Sequence, residues 1–343
     1  MDFAKAFDTV PHHRLIHKLQ QAGIRGRVLY WVKSFLSARK QRVVLRNGVS
    51  SWLNVTRGVP QGSILGFLLF ILYVNDIPES VKSTVKMFAD DTKIYQEIKE
   101  KEDCERLQMS LNAISAWSRT WLLKFNASKC VVLSIRNKLD YKYTLNDTYL
   151  EKVHDQKDLG VIISDDLTPR KHILDITKKA YQRLGLIKRC FTNIRFLMDT
   201  LYKTIIRPVL EYGSPVWSPW LKTDIDLLET VQRRCLKYSN SPNLLETLEN
   251  RRMYVDLCEV YKMLNNMYKN SYLQFFAQPG RSLRGHSKKL AKEYTTCNSD
   301  VARKFFSRRV IDEWNVLPEE VIAAPSLSTF KKQLRSLPSG LKG

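Results

Sequence analysis

Val85-Lys86-Met87-Phe88-Ala89-Asp90-Asp91-Thr92-Lys93-Ile94-Tyr95 sets β-branched and aromatic residues on either side of two adjacent acids. This composition predicts strands over Val85 to Ala89 and Thr92 to Tyr95, with Asp90-Asp91 at the turn between them. The hairpin so formed carries two carboxylates at its tip. Adjacent carboxylates repel one another, so a crowded pair is best tolerated beside a cation, and Mg2+ takes a few carboxylate oxygens together with substrate phosphates. Taken alone, an Asp-Asp tip is in most proteins a solvated turn, and its meaning depends on what surrounds it.

Upstream, Gly58-Val59-Pro60-Gln61-Gly62-Ser63 reads as a loop, and Ser63 as the N-cap of an apolar helix that runs to about Val74. Before it, Gln41 to Leu45 and Val49 to Val55 read as strands joined at Asn47-Gly48, a dipeptide that accepts positive φ. Helices are predicted over His12 to Ala22 and Arg27 to Ala38, preceded by Asp2-Phe3-Ala4-Lys5-Ala6-Phe7-Asp8. Downstream come a helix over Lys101 to Leu122, a β-rich run Cys130 to Ile135, a hairpin at Leu145-Asn146-Asp147-Thr148 and a strand at Leu159-Gly160-Val161-Ile162-Ile163. The pattern then turns helical. Over 171–189, Ile173, Ile176, Ala180, Leu184 and Ile187 keep the 3.6 period, with Lys171, Lys178 and Arg189 on the opposite side, free to meet phosphate. Pro208, Pro215 and Pro219 interrupt an aromatic stretch, Asp224 to Tyr272 is again helical, and Gln278 to Lys292 reads as a basic linker or exposed arm.

Over 343 residues the chain is 44% hydrophobic and 10% aromatic, which excludes disorder as an overall description and favours two or three domains. Its 56 Lys and Arg against 34 Asp and Glu give a net charge of +22, and a surface of that sign calls for a polyanionic partner. The basic excess is spread out: residues 166–240 and 281–343 each net +7. The longest apolar run, Ile64 to Val74, is too short to span a bilayer, so it reads as a buried helix and no membrane role is expected. Six scattered cysteines without a C-x-x-C pair suggest a reducing compartment. The start lacks a signal-peptide pattern, so cytoplasm or nucleus is expected rather than secretion. His13 and His17, at i and i+4 without the glutamate of H-E-x-x-H, are read as exposed helix residues and not as zinc ligands.

The order D-F-A-K-A-F-D, G-V-P-Q-G-S, F-A-D-D supplies the missing context. Asp2 to about Trp220 resembles the reverse transcriptase of non-LTR retrotransposons, the LINE-type and Jockey-like elements, and Phe305-Phe306-Ser307 with Glu313-Trp314-Asn315-Val316-Leu317-Pro318 is similar to the region that follows it. The resemblance implies an α/β (α+β) fold: an incomplete polymerase palm with partial fingers and an antiparallel sheet over 1–165, a helical thumb over 166–245 and a basic helical C-terminal region over 246–343. It implies that Asp2, Asp90 and Asp91 hold two Mg2+ ions. Such a pair activates a primer 3′ hydroxyl, holds the triphosphate and stabilises in-line displacement. Phe7 is implied as a steric gate against a 2′ hydroxyl, Gly58, Gln61 and Gly62 as contacts to the incoming nucleotide and template, and Lys129, in Asn126-Ala127-Ser128-Lys129-Cys130, as a general acid toward pyrophosphate. Leu159 to Ile163 is similar to the hairpin that grips the primer end. The helix bearing Lys171, Lys178 and Arg189 resembles a thumb that contacts nucleic-acid backbone without regard to sequence. The implied partners are an RNA template, a DNA primer and dNTPs.

Two departures stand out. Phe67 follows Gly66 where these elements usually carry proline, and the first acidic motif stands at the chain start, where the family has fingers and earlier palm strands upstream. The latter suggests an N-terminally truncated element fragment. Two functions therefore stay open at this point, an RNA-directed DNA polymerase and a catalytically silent remnant that only binds nucleic acid. A basic structural or membrane-surface protein is a third and would bind anionic vesicles equally well.

Overall fold

The computed structural model describes residues 1–136, 139–191, 194–239, 245–269, 272–277, 285–292 and 299–337, which fall into two compact units, 1–154 and 155–343. Helices and short strands alternate through the first unit, and after Ser164 only helices and an isolated bridge are found among the described residues. None of these helices is long and apolar enough to cross a membrane.

In the first unit, helices His12–Gln21, Gly26–Leu36, Ile64–Val74 and Lys101–Trp121 enclose a core that includes Leu15, Leu19, Phe70, Tyr73 and Ile114. Ile64–Val74 starts as its sequence predicts, with Ser63 Oγ accepting the Gly66 N–H at 2.9 Å. It is buried on one side only: Leu69, Phe70, Tyr73 and Val74 face the core while Ile64, Phe67 and Leu68 are exposed. Lys18 ties three of the helices together. Its buried Nζ donates to Tyr73 O and Asp76 Oδ1, each at 2.5 Å, and lies 3.9 Å from the Trp121 ring. Burial lowers the pKa of this ammonium, against the opposing pull of Asp76.

Strands form six two-stranded ladders among the described residues, five antiparallel and one parallel, Val131–Leu133 with Glu151–Val153. The antiparallel sheet expected from the sequence is thus present as short, separate pairs. Two turns differ by one residue from their sequence readings. Leu45 pairs with Gly48, so the turn is Arg46-Asn47, and neither Asn47 nor Gly48 takes the positive φ expected of them. Phe88 pairs with Asp91, so Ala89-Asp90 forms the acidic turn and Asp91 opens the returning strand. At Asn146-Asp147 the reading holds, with φ of 48° and 61°, the left-handed pair a tight hairpin needs.

In the second unit, hairpin Asp155–Asp158/Val161–Ser164 turns through Leu159 and Gly160, both at positive φ. It contacts helices that follow: Tyr212 Oη donates to Leu159 O at 3.0 Å, and the Ile162 N–H donates to His172 Nδ1 at 3.2 Å. Helix Arg170–Cys190 buries the five apolar residues named from its periodicity and leaves Lys171, Lys178 and Arg189 exposed. With Tyr202, Leu210, Trp217 and Leu228 these five make one core. A second gathers Tyr261, Trp314 and Phe330, and helix Leu248–Leu264 serves both, giving Leu248 to the first and Leu257, Val260 and Tyr261 to the second.

The Gln278 to Lys292 arm needs correction. Residues 278–284 lie outside the described residues, but 285–292 are no exposed arm, since His286 and Leu290 are buried. The side chain of Asn315 pairs with both backbone groups of Leu290 at 2.9 Å, and Trp314 Nε1 donates to Lys288 O at 2.8 Å. The basic composition misled because its backbone, not its charge, decides where it lies.

Burial pulls the His172 imidazole down to about 4. Since that lies below the unfolded value near 6.5, the unfolded chain binds more protons between the two. The contribution of His172 to stability is therefore constant above about pH 6.5 and falls by on the order of 3 kcal/mol as pH drops from about 6.5 to about 4. Urea midpoints at pH 7.5 and 4.5 check this: His172→Asn, whose Oδ1 can still accept from Ile162, should show a smaller acid loss than the parent chain.

Candidate functional site

Met1 to Ala4 runs between two other segments of the first unit. The Met1 α-amino group donates to Thr92 O at 2.7 Å and the Thr92 N–H returns a bond to Met1 O at 3.2 Å, while Ala4 N–H donates to Lys124 O and Asn126 N–H to Asp2 O, both at 2.8 Å. Phe3 bridges Phe125, stacks on its ring at 4.2 Å and meets Phe70 edge-on. Because successive residues of extended chain point to opposite sides, burying Phe3 turns Asp2 away from the core. Lys5, in the left-handed region at φ 53°, then swings the chain into the helical turn Ala6–Thr9. Thus Asp2 stands one residue from a backbone pair whose other member, Thr92, directly follows Asp91.

Asp2 Oδ2 lies 3.5 Å from Lys129 Nζ, the lysine 66% and the aspartate 34% exposed. A pair so open to water contributes little to stability. Asp90 is half-buried at the turn and Asp91 exposed. Ala89 beside them has φ 54°, a conformation that disfavours any residue with a Cβ by about 1–2 kcal/mol. Among the described residues no three or more His, Cys, Asp or Glu side chains are gathered to hold a metal ion, and Asp2 is paired with Lys129.

The loop ahead of Ile64–Val74 is zipped onto the end of the first motif. Val59 N–H donates to Phe7 O at 2.7 Å and Gly58 N–H to Val10 O at 2.8 Å. Gly58 carries φ +83°, and a Cβ on it would fall 2.7–2.8 Å from the backbone of Asp8. Its carbonyl is held by Arg39 Nη2 at 2.9 Å and His12 Nε2 at 2.8 Å. Phe7 is half-buried and stacks on Phe70 at 4.6 Å, so Phe7, Gly58 and the Ile64–Val74 helix share one neighbourhood. Gln61 and Gly62 are exposed on the same loop. In the second unit, Lys178 and Arg189 are exposed, but Lys171 Nζ is taken up by Asp155 Oδ2 at 2.5 Å.

Sequence reasoning missed His12, Arg39, Thr92 and Cys130 as parts of this neighbourhood. Cys130 Sγ, its thiol pKa raised by burial, accepts the Asp2 N–H at 3.5 Å. No local signal marks these residues, since their partners lie 19 to 128 positions away.

Residues 1–186 match the family described as Reverse transcriptase (RNA-dependent DNA polymerase). The chain is 28% identical over 247 residues to the Probable RNA-directed DNA polymerase from transposon X-element of Drosophila melanogaster, covering 68% of this chain and 27% of that protein. It is also 28% identical over 255 residues to the Probable RNA-directed DNA polymerase from transposon BS of the same organism (69% and 28% covered). A third relative is the RNA-directed DNA polymerase from mobile element jockey of Drosophila funebris, 28% identical over 267 residues (72% and 29% covered). The chain thus spans a little over a quarter of the length of these relatives.

Proposed function

The chain belongs to the reverse transcriptase (RNA-dependent DNA polymerase) family, and from that premise we propose that it is an RNA-directed DNA polymerase segment of a non-LTR retrotransposon, joining dNTPs to a primer 3′ hydroxyl on an RNA template. The observation that carries the reading is the backbone pairing of Met1 with Thr92, which links the segment of Asp2 to the hairpin of Asp90 and Asp91. Aspartates are hard oxygen donors, the ligand type Mg2+ prefers, and Asp2, Asp90 and Asp91 would hold two such ions once Asp2 leaves Lys129 and the three carboxylates are drawn together by the cations. When bound, the ions would activate the attacking hydroxyl and offset the charge developing on the triphosphate.

The remaining groups bind and orient. Lys129 Nζ holds the proton for the pyrophosphate leaving group, and Gly58, Gln61 and Gly62 line the approach of nucleotide and template. Phe7, braced by Phe70, excludes a 2′ hydroxyl. In this reading 1–165 act as palm and partial fingers, 166–245 as thumb, with Lys178 and Arg189 toward phosphate, and 246–343 as a C-terminal region. Work in either cytoplasm or nucleus is consistent with this role. Primer extension on an RNA template, dependent on Mg2+ and abolished by chelation, tests the proposal. Phe7→Val is expected to shift the choice between dNTP and rNTP toward ribonucleotides by on the order of 10- to 100-fold; unchanged discrimination in competitive incorporation removes Phe7 from this role.

The Lys129–Asp2 ion pair favours a second reading, a silent remnant that binds nucleic acid without copying it. That reading predicts salt-sensitive binding and no incorporation at any Mg2+ concentration.

A further inference from the structure

Residues 24–57 contain eight Lys or Arg and no Asp or Glu. Within them, Lys40–Gln41 pairs with Leu53–Asn54 and Val44–Leu45 with Gly48–Val49, forming a two-stranded ribbon in which every residue from 40 to 54 is exposed. Val44, Leu45, Trp52 and Leu53 stand in water on it, and the Arg42 guanidinium lies 4.5 Å from the Trp52 ring centre. The helix Gly26–Leu36, ending three residues earlier, exposes Tyr30 at 76% and Trp31 at 56%. A two-stranded ribbon with no buried face is marginal in water, and apolar surface of this extent marks a place where something binds.

We propose that this ribbon and helix form a platform for single-stranded nucleic acid, with bases stacked on Tyr30, Trp31 and Trp52 and phosphates against Arg25, Arg27, Arg42 and Arg46. Exposed rings interleaved with cations match a strand whose bases are unpaired, because such bases offer both faces for stacking and the backbone supplies the countercharge. The charge argues against a second copy, since a chain of net charge +22 repels itself. The inference deepens the polymerase reading, on which it rests only for the identity of the strand as template.

The test uses the full chain, a labelled single-stranded oligouridylate, fluorescence anisotropy over a range of salt, and ultraviolet crosslinking. Trp31→Ala and Trp52→Ala are each expected to weaken binding by roughly 5- to 100-fold without changing the salt slope. The double variant Arg42→Ala/Arg46→Ala should lower that slope by about 1.4, near 0.7 for each phosphate no longer neutralised. Crosslinks on the unaltered chain should fall on peptides containing Trp31 or Trp52, a readout that no folding defect can imitate. Unchanged affinity with crosslinks elsewhere overturns the platform, as does self-association or vesicle binding that the ribbon variants abolish while oligouridylate binding stays normal. Ribbon-dependent binding without incorporation by the unaltered chain sinks the polymerase reading and leaves the platform. Incorporation with ribbon variants that bind normally does the reverse.

Discussion

Asp90→Asn is expected to lower Mg2+-dependent incorporation on an RNA template by about a thousandfold or more while leaving the melting temperature and oligonucleotide affinity close to those of the parent chain. Asn matches Asp in size and suits a tight turn, so the Ala89-Asp90 corner keeps its geometry. What disappears is one negative oxygen donor, and a divalent ion at a transferring phosphoryl group supplies several kcal/mol of charge stabilisation, which at about 1.4 kcal/mol per decade amounts to three decades or more. Asp2→Asn should behave alike, and weakening its ion pair with Lys129 should count little because that pair is open to solvent. Single-turnover extension reads the effect directly. Incorporation that survives both substitutions would remove these aspartates from any metal-holding role.

Gly58→Ala carries the second large effect, on stability. Two penalties coincide at this residue, a backbone in the left-handed region and a Cβ driven to within 2.8 Å of the backbone of Asp8, which cannot swing aside as a side chain could. Left-handed strain of about 1–2 kcal/mol and overpacking of about 1–3 kcal/mol together predict a loss of roughly 2–5 kcal/mol. Gly62 serves as the internal control. It has the same φ of +83° but nothing within 4 Å of an added Cβ, so Gly62→Ala should lose only the conformational part, about 1–2 kcal/mol. Urea midpoints of the two variants give the difference, and equal losses would show that the approach to Asp8 is relieved by movement of the loop. The Gly58 variant should also displace Phe7, since Val59 N–H holds the Phe7 carbonyl.

Much of the architecture was legible because it rests on local rules. The apolar stripe of Arg170–Cys190 followed from period alone, the start of Ile64–Val74 from Ser63, and the acidic hairpin from strand composition. Turn centres slipped by one residue, to Arg46-Asn47 and Ala89-Asp90, because cross-strand pairing set the register and residue preference did not. Membership of the polymerase family was readable from three spaced motifs, and the family match supports it. The surroundings of those motifs were not readable. His12 and Arg39 reaching one carbonyl, Cys130 beneath Asp2, and Asn315 clasping Leu290 are products of chain folding over long separations, and a charge count misplaced 285–292 because it is blind to backbone pairing.

The helix Leu248–Leu264 is a wall of two cores at once. Heat cannot dissolve the Trp314 side without stripping cover from the Leu248 side, so residues 155–343 should lose structure cooperatively, as one calorimetric endotherm, despite containing two separate apolar centres.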